Sequence, residues 1–288
     1  MSTESAIHDI GYQRYTGARL GRSHAVESLY VHSVRAAFGI GRGAKAKIFP
    51  WLIIGIAVGF ALIAIAVKSL TQQELVSYRG YANGMSYPVM MFLAIIAPEM
   101  VSRDLRDKTL PLYFSRPLRR SDYALTKLAS LMTAVLLLLA GPQLLIFIGV
   151  AFSADKDRLS YAGHELSQLW PGLISSLLYA FVLSSLALLV ASLTSRRAFG
   201  AAGVVGVFLI STPIVGILYV IGGPVVKHLS SLANPMTATR AALQWLFGAD
   251  KSDGPPLGHY GPVYGVAILA LVAVCVSLLL LRYRKVAS

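Results

Sequence analysis

Six stretches of this chain are long and apolar enough to cross a lipid bilayer, and they limit what it can fold into more than any other feature. An α-helix rises about 1.5 Å per residue, so about twenty apolar residues cover a hydrocarbon core about 30 Å thick. The stretches are Pro50–Val67, Gly84–Met100, Leu128–Phe152, Pro171–Leu193, Phe199–Gly222 and Pro262–Leu281. The second is the least regular, since Pro88 and Pro98 bracket it and Asn83 and Ser86 open it. Neighbouring helices can satisfy the backbone groups that proline frees, so it still reads as a span. Charged residues make up 14% of the chain and hydrophobic ones 56%. Soluble domains carry about 25% charged residues, so this chain has too few to clothe a water-facing surface. The sequence predicts an all-α membrane protein of six transmembrane helices, a single domain over residues 1–288 with its bundle at 50–281.

The net charge of +13 does not point to nucleic acid, because the basic residues lie in short segments between apolar runs rather than on one soluble face. Their placement instead orients the chain. With the N-terminus inside, seven Lys and Arg precede the first span and seven lie between the second and third. Two more lie between the fourth and fifth, and three follow the sixth, which makes nineteen inside against seven outside. Both termini are therefore expected in the cytoplasm. The first 45 or so residues are polar, unlike a cleavable signal peptide, whose apolar stretch comes far sooner.

Several shorter features refine this outline. Val26, Tyr30, Val34, Ala37, Phe38 and Gly41 recur at helical spacing before the first span, which predicts an interfacial helix over residues 23–42, preceded by a cytoplasmic segment at 1–22. The glycines at Gly39, Gly41 and Gly43 lack phosphate-loop spacing and read as a flexible hinge into the first span. The outer segment Gly223–Gly261 contains apolar patches and an amphipathic stretch at Thr237–Phe247. It fits either short half-inserted helices or a plain external loop. Ala198, Ala202 and Gly206 form a small-residue stripe on the fifth span, suited to helix packing within the chain or to a subunit interface.

The chemistry that is missing narrows the function. The span interiors hold almost no charged residues, the usual marks of proton relays and ion sites. Their polar groups are neutral, among them Gln143, Ser175, Ser176, Ser184, Ser185, Ser211 and Thr212, and such hydroxyls mostly bond within their own helix. No nucleophile–base pair, cofactor motif or metal-ligand spacing stands out, and the single cysteine, Cys275, lies in an apolar run. No catalytic, cofactor-binding or metal residues are therefore assigned.

The segment after the second span carries the most information. In Glu99-Met100-Val101-Ser102-Arg103-Asp104-Leu105-Arg106-Asp107-Lys108-Thr109-Leu110, the residues Glu99, Arg103 and Arg106 share one helical face, and Asp104 pairs with Lys108. Pro111 and Pro117 then stop regular helix. A generic positive loop explains the basic residues but not the interleaved acids. A short charged helix projecting inward would make a docking surface.

This segment, through Ser115-Arg116-Pro117-Leu118-Arg119-Arg120-Ser121 and on to Lys127, resembles the region between the second and third spans of bacterial ABC type-2 exporter permeases. Asp104 matches their acidic position, Thr109-Leu110 their T-L, Pro117 their proline and Lys127 their lysine. Lys108 stands where they usually have glycine, and Arg119-Arg120-Ser121 is a rearranged S-R. The opening Ile7-His8-Asp9-Ile10-Gly11-Tyr12-Gln13-Arg14-Tyr15 resembles the N-terminus of a subgroup common in actinobacteria. The resemblance implies an elbow helix at about Ser23–Arg42, a coupling helix at about Pro98–Leu110 and re-entrant outer helices before the last span. It also implies two ATPase subunits holding ATP and Mg, a second permease, and outward transport of an amphipathic drug, antibiotic, lipid or peptide across the plasma membrane. On this reading Glu99, Arg103, Asp104, Arg106, Asp107, Lys108 and Thr109 are the ATPase-coupling residues, and the chain itself binds membrane lipids but no cofactor and no nucleic acid. The alternative function is a membrane scaffold or anchoring subunit that transports nothing.

Overall fold

The computed structural model describes residue 17 and residues 20–115, 117–152, 158–249 and 257–285. The N-terminal stretch Ile7–Tyr15 and Arg116, both part of the resemblance, lie outside the described residues. The regular structure of the described residues is all helix, with no strand. The helices are α1 (Arg22–Ala37), α2 (Ala44–Thr71), α3 (Tyr78–Gly84), α4 (Ser86–Arg106), α5 (Leu110–Phe114), α6 (Arg120–Phe152), α7 (Arg158–Ser192), α8 (Arg197–Ile221), α9 (Pro224–Leu229), α10 (Pro235–Phe247) and α11 (Gly261–Lys285). Among the described residues five helices, α2, α6, α7, α8 and α11, are each long and apolar enough to span a bilayer.

The sixth span is a bent pair, α3 and α4, meeting at 44°. The expected straight span Gly84–Met100 is therefore corrected at both ends: helix begins at Tyr78, turns at Met85 and runs on to Arg106. Pro88 supplies the reason, because it has no N–H to donate to the carbonyl of Gly84, so the ladder of α3 cannot pass through. Ser77 caps α3 by accepting from the Gly80 amide at 2.9 Å. The Ser86 hydroxyl donates to the Asn83 carbonyl at the bend (2.6 Å). Pro98, by contrast, sits inside α4 without breaking it.

Helices α6 and α7 form the centre of the bundle. Tyr123, Leu131, Leu139, Tyr179, Leu183 and Leu188 are fully buried there. Gln143 of α6 donates to the Ser176 hydroxyl of α7 at 2.8 Å. Gly172 lets the helices close at that level, since a Cβ there would lie 2.6 Å from the Gln143 side-chain oxygen. The span hydroxyls mostly bond back within their own helix as expected, Ser175 to the Pro171 carbonyl and Thr212 to the Phe208 carbonyl. The two extremes of burial are α7, with 61% of its apolar window inside the bundle, and α8, with 11%. Helix α8 is thus a peripheral element with most of its apolar surface turned outward.

Helix α1 starts one residue earlier than expected and stops at Ala37, short of Arg42. Its inward face runs through Leu29, Ser33 and Ala37 against α6, with Val26, Tyr30 and Val34 at its margin. The Tyr30 hydroxyl bonds Thr133 of α6 at 2.8 Å, and Arg22 pairs with Asp122 at 2.6 Å. The glycines after α1 form a fixed turn rather than a flexible hinge. Gly39 has φ +69°, and the Ile40 amide donates back to the Arg35 carbonyl at 2.9 Å, a Schellman closure. A Cβ on Gly39 would sit 2.7 Å from the Ala46 carbonyl oxygen.

Between the fifth and last spans, the described residues from Pro224 to Phe247 are mostly helical, as α9 and α10 joined by a 3-10 turn. Asn234 caps α10, accepting from the Met236 amide at 2.7 Å. Its side-chain amide also donates to the Phe208 carbonyl and to Thr212 of α8, both at 3.1 Å. At the other end of α10, Trp245 lies against α11, where Gly261 and Gly265 make room for it. A Cβ would come within 2.2 Å of its ring at Gly261 and 2.8 Å at Gly265.

Candidate functional site

The end of the bundle that carries the α1–α2 turn, the C-terminus of α4, the start of α6 and the α7–α8 turn concentrates both basic residues and ion pairs. The charged segment after the second span is not a separate helix. Residues 98–106 continue α4 without a break, the chain turns at 107–109, and the short α5 follows. Pro111 does not stop a helix here. It occupies the first turn of α5, where its missing N–H would have had no partner.

The turn itself is built by backbone geometry. Asp107 caps α4, Lys108 adopts φ +51°, and the Thr109 amide donates to the Asp104 carbonyl at 3.2 Å. This is a Schellman closure whose left-handed position normally favours glycine. Lys108, which stands where the resemblance has glycine, thus takes the left-handed conformation that glycine favours.

Two carboxylates on α4 tie this turn to the rest of the bundle. Glu99, with 10% of its side chain exposed, meets Arg42 of the α1–α2 turn at 2.6 Å, Arg103 one turn on at 3.6 Å, and Arg197 at the start of α8. Asp104 accepts from Lys127 of α6 at 3.1 Å and from the hydroxyl of the fully buried Tyr123 at 2.5 Å. Lys127 is itself almost fully buried. Burial and the neighbouring Arg103 push the pKa of Arg42 down, with Asp104 opposing. An arginine remains cationic despite such a shift. The remaining charges face outward. Arg106 and Arg103 both reach Asp107, at 3.0 and 3.5 Å, and hold its carboxyl below the usual range. Lys108 and Leu112 are exposed beside them.

The sequence-assigned coupling residues thus divide in two. Glu99 and Asp104 point into the bundle, and Thr109 closes the turn, while Arg103, Arg106, Asp107 and Lys108 are solvent-facing or nearly so. The inward partners Arg42, Arg197 and Tyr123 were not assigned from sequence. Nothing in their spacing relates them to Glu99 or Asp104, which lie up to 98 positions away. Two further arginine contacts close helix ends: Arg282 donates to the Ser192 carbonyl at 2.7 Å, and Arg120 to the Arg284 carbonyl at 2.8 Å. These two arginines therefore cap C-terminal carbonyls.

The small-residue stripe contributes little to packing within the chain. Within the chain α8 packs through Gly200, Val204, Phe208 and Ser211 instead. A Cβ on Gly200 would lie 3.1 Å from Pro98 of α4. Ala198 and Ala202 are exposed and Gly206 is half-buried, so the stripe Ala198, Ala202 and Gly206 is not the main intrachain contact. At the opposite end of the bundle, Lys68 meets the buried Glu165 at 2.6 Å and Glu74 at 3.0 Å. Tyr78 donates to the other Glu165 oxygen at 2.9 Å. Beside them lies a cavity of about 330 Å³ walled by Trp170, Phe247 and Arg79.

Five spanning helices and a bent sixth, closed by ion pairs at a basic end, define a multi-pass membrane protein. Residues 55–281 match the model of the ABC-2 family transporter proteins, and the chain belongs to that family. It is a membrane subunit of an ATP-binding-cassette transporter, with hydrolysis carried by a separate subunit. No curated protein matches the sequence.

Proposed function

We propose that this chain is the permease of an ATP-driven exporter in the plasma membrane. It works with a second permease and two ATPase subunits that bind at the basic end, where both termini face the cytoplasm. The observation that carries this reading is the clamp at the end of α4. One exposed turn, 107–109, stands on a helix whose last two turns are salt-bridged to the α1–α2 turn, α6 and α8 at once. A force applied to Arg106, Asp107, Lys108 and α5 would reach three other elements through short, partly buried ionic contacts. Such contacts are stiff, because desolvated charges strongly penalise separation. Nucleotide-driven closure of the ATPases would then rock the spans and carry an amphipathic substrate outward. The open apolar surface of α8, including Ala198 and Ala202, is the face offered to the second permease.

The test is to co-purify the full chain with its ATPase and reconstitute it in vesicles. Charge reversal at exposed Arg106 and Lys108 should weaken ATPase binding by about tenfold. The melting temperature of the chain should hardly move. Unchanged association would refute docking at this turn. A chain that binds the ATPase but neither stimulates hydrolysis nor moves cargo would be a scaffold.

A further inference from the structure

On the flank of the bundle, α2 and α6 part to leave an apolar groove of about 220 Å³. Its α2 wall is Ile54, Ala57 and Val58, its α6 wall includes Leu137 and Gly141, and Phe38 at the end of α1 closes its top. Gly141 and Leu137 are exposed, so the groove opens sideways, at the depth where lipid surrounds the helices. Water has no polar partner in such a groove, and an empty one would forfeit dispersion contacts along its walls. An apolar chain would restore those contacts.

The rim identifies which kind. Lys47, Trp51, Ile54 and Val58 follow one another at helical spacing, so they form a single stripe down α2. Lys47 stands about 10 Å above Ile54 along that stripe, at seven residues' rise. Lys45, Lys47 and Arg35 are exposed, and none of them makes an ion pair among the described residues. No acidic residue occurs between Glu27 and Glu74 to offset them. Trp51, also exposed, has the amphipathic ring that settles at the headgroup level. The turn that sets this rim is rigid, because Gly39 packs directly on the start of α2.

We propose that this groove is a binding site for an anionic glycerophospholipid, with one acyl chain between α2 and α6 and the phosphate at Lys47. The site does not depend on the transport reading. Native mass spectrometry of the purified full chain, titrated with phosphatidylglycerol or phosphatidylcholine of matched chain length, tests it. Each Lys or Arg at an anionic lipid surface strengthens binding by about fivefold, so phosphatidylglycerol should be retained at least that much better. Gly141→Leu would fill the groove, since a Cβ there meets nothing within 4 Å, and should reduce retention of both lipids. Lys47→Gln, at an exposed position that leaves the fold alone, should bring phosphatidylglycerol down to the phosphatidylcholine level, whereas Lys45→Gln, on the opposite face of α2, should not. Equal retention of the two lipids by the unaltered chain would overturn the proposal. So would unchanged phosphatidylglycerol retention by Gly141→Leu, including the case in which that variant alters only the oligomeric state, because a neighbouring chain would then occupy the groove.

Discussion

Asp104 and Lys127 are the residues whose contact matters most to the stability of the basic end. Both are largely buried and 3.1 Å apart, so removing one charge strands the other. Breaking such a pair costs about 3–5 kcal/mol, whereas an exposed pair such as Arg106 with Asp107 contributes little. Asp104→Asn should therefore lower the melting temperature in detergent well beyond the effect of Arg106→Ala; equal shifts would mean that solvent reaches Asp104. The same contrast bears on Glu99, since substitutions there would perturb packing before they tested docking. Lys108 carries a different kind of constraint. Its left-handed backbone costs an ordinary residue about 1–2 kcal/mol, which glycine avoids while losing about 0.5–1 kcal/mol in chain entropy. Lys108→Gly should leave stability within about 1 kcal/mol of the parent, and the β-branched Lys108→Val should destabilise it; the two melting curves decide between a strained and a relaxed turn.

At the scale of elements, α10 is held by contacts at both ends. Asn234 caps it and binds α8 through its side-chain amide, so Asn234→Ala should cost about 2 kcal/mol from the lost cap and the stranded carbonyl. At the far end the Trp245 ring occupies the space left by Gly261 and Gly265. Gly261→Ala should destabilise by about 1–3 kcal/mol through overpacking. Adding Trp245→Ala should recover part of that loss, because residues in contact are not additive. Additive losses in the double variant would show that Trp245 does not press on α11. The bend between α3 and α4 has a similarly local cause in Pro88.

For the molecule as a whole, the distribution of burial separates a well-packed centre, α6 and α7, from an exposed α8. If two permeases meet along α8, then Ala202→Cys in a Cys275→Ala background should crosslink between copies in membranes under mild oxidation. A cysteine placed on the buried Val204 should not. Absence of crosslinking at Ala202 and Ala198 alike would move the dimer face elsewhere.

Much of this was legible in the chain, because a bilayer imposes its thickness directly on sequence. Apolar length alone located the spans that stand as single helices, and the interleaved acids from Glu99 to Asp107 marked the end where the ion pairs gather. The glycine-rich turn and the outer segment were visible as features, though not as a Schellman closure and a capped helix. What only the tertiary structure decided were the pairings across sequence distance: Glu99 with Arg42 and Arg197, Asp104 with Lys127 and Tyr123, Trp245 with Gly261. Helical periodicity places a residue on a face, but it does not say which neighbour that face meets. That depends on the order in which helices pack, and in lipid this is settled by close fit and by satisfaction of polar groups rather than by hydrophobicity, which every span here shares.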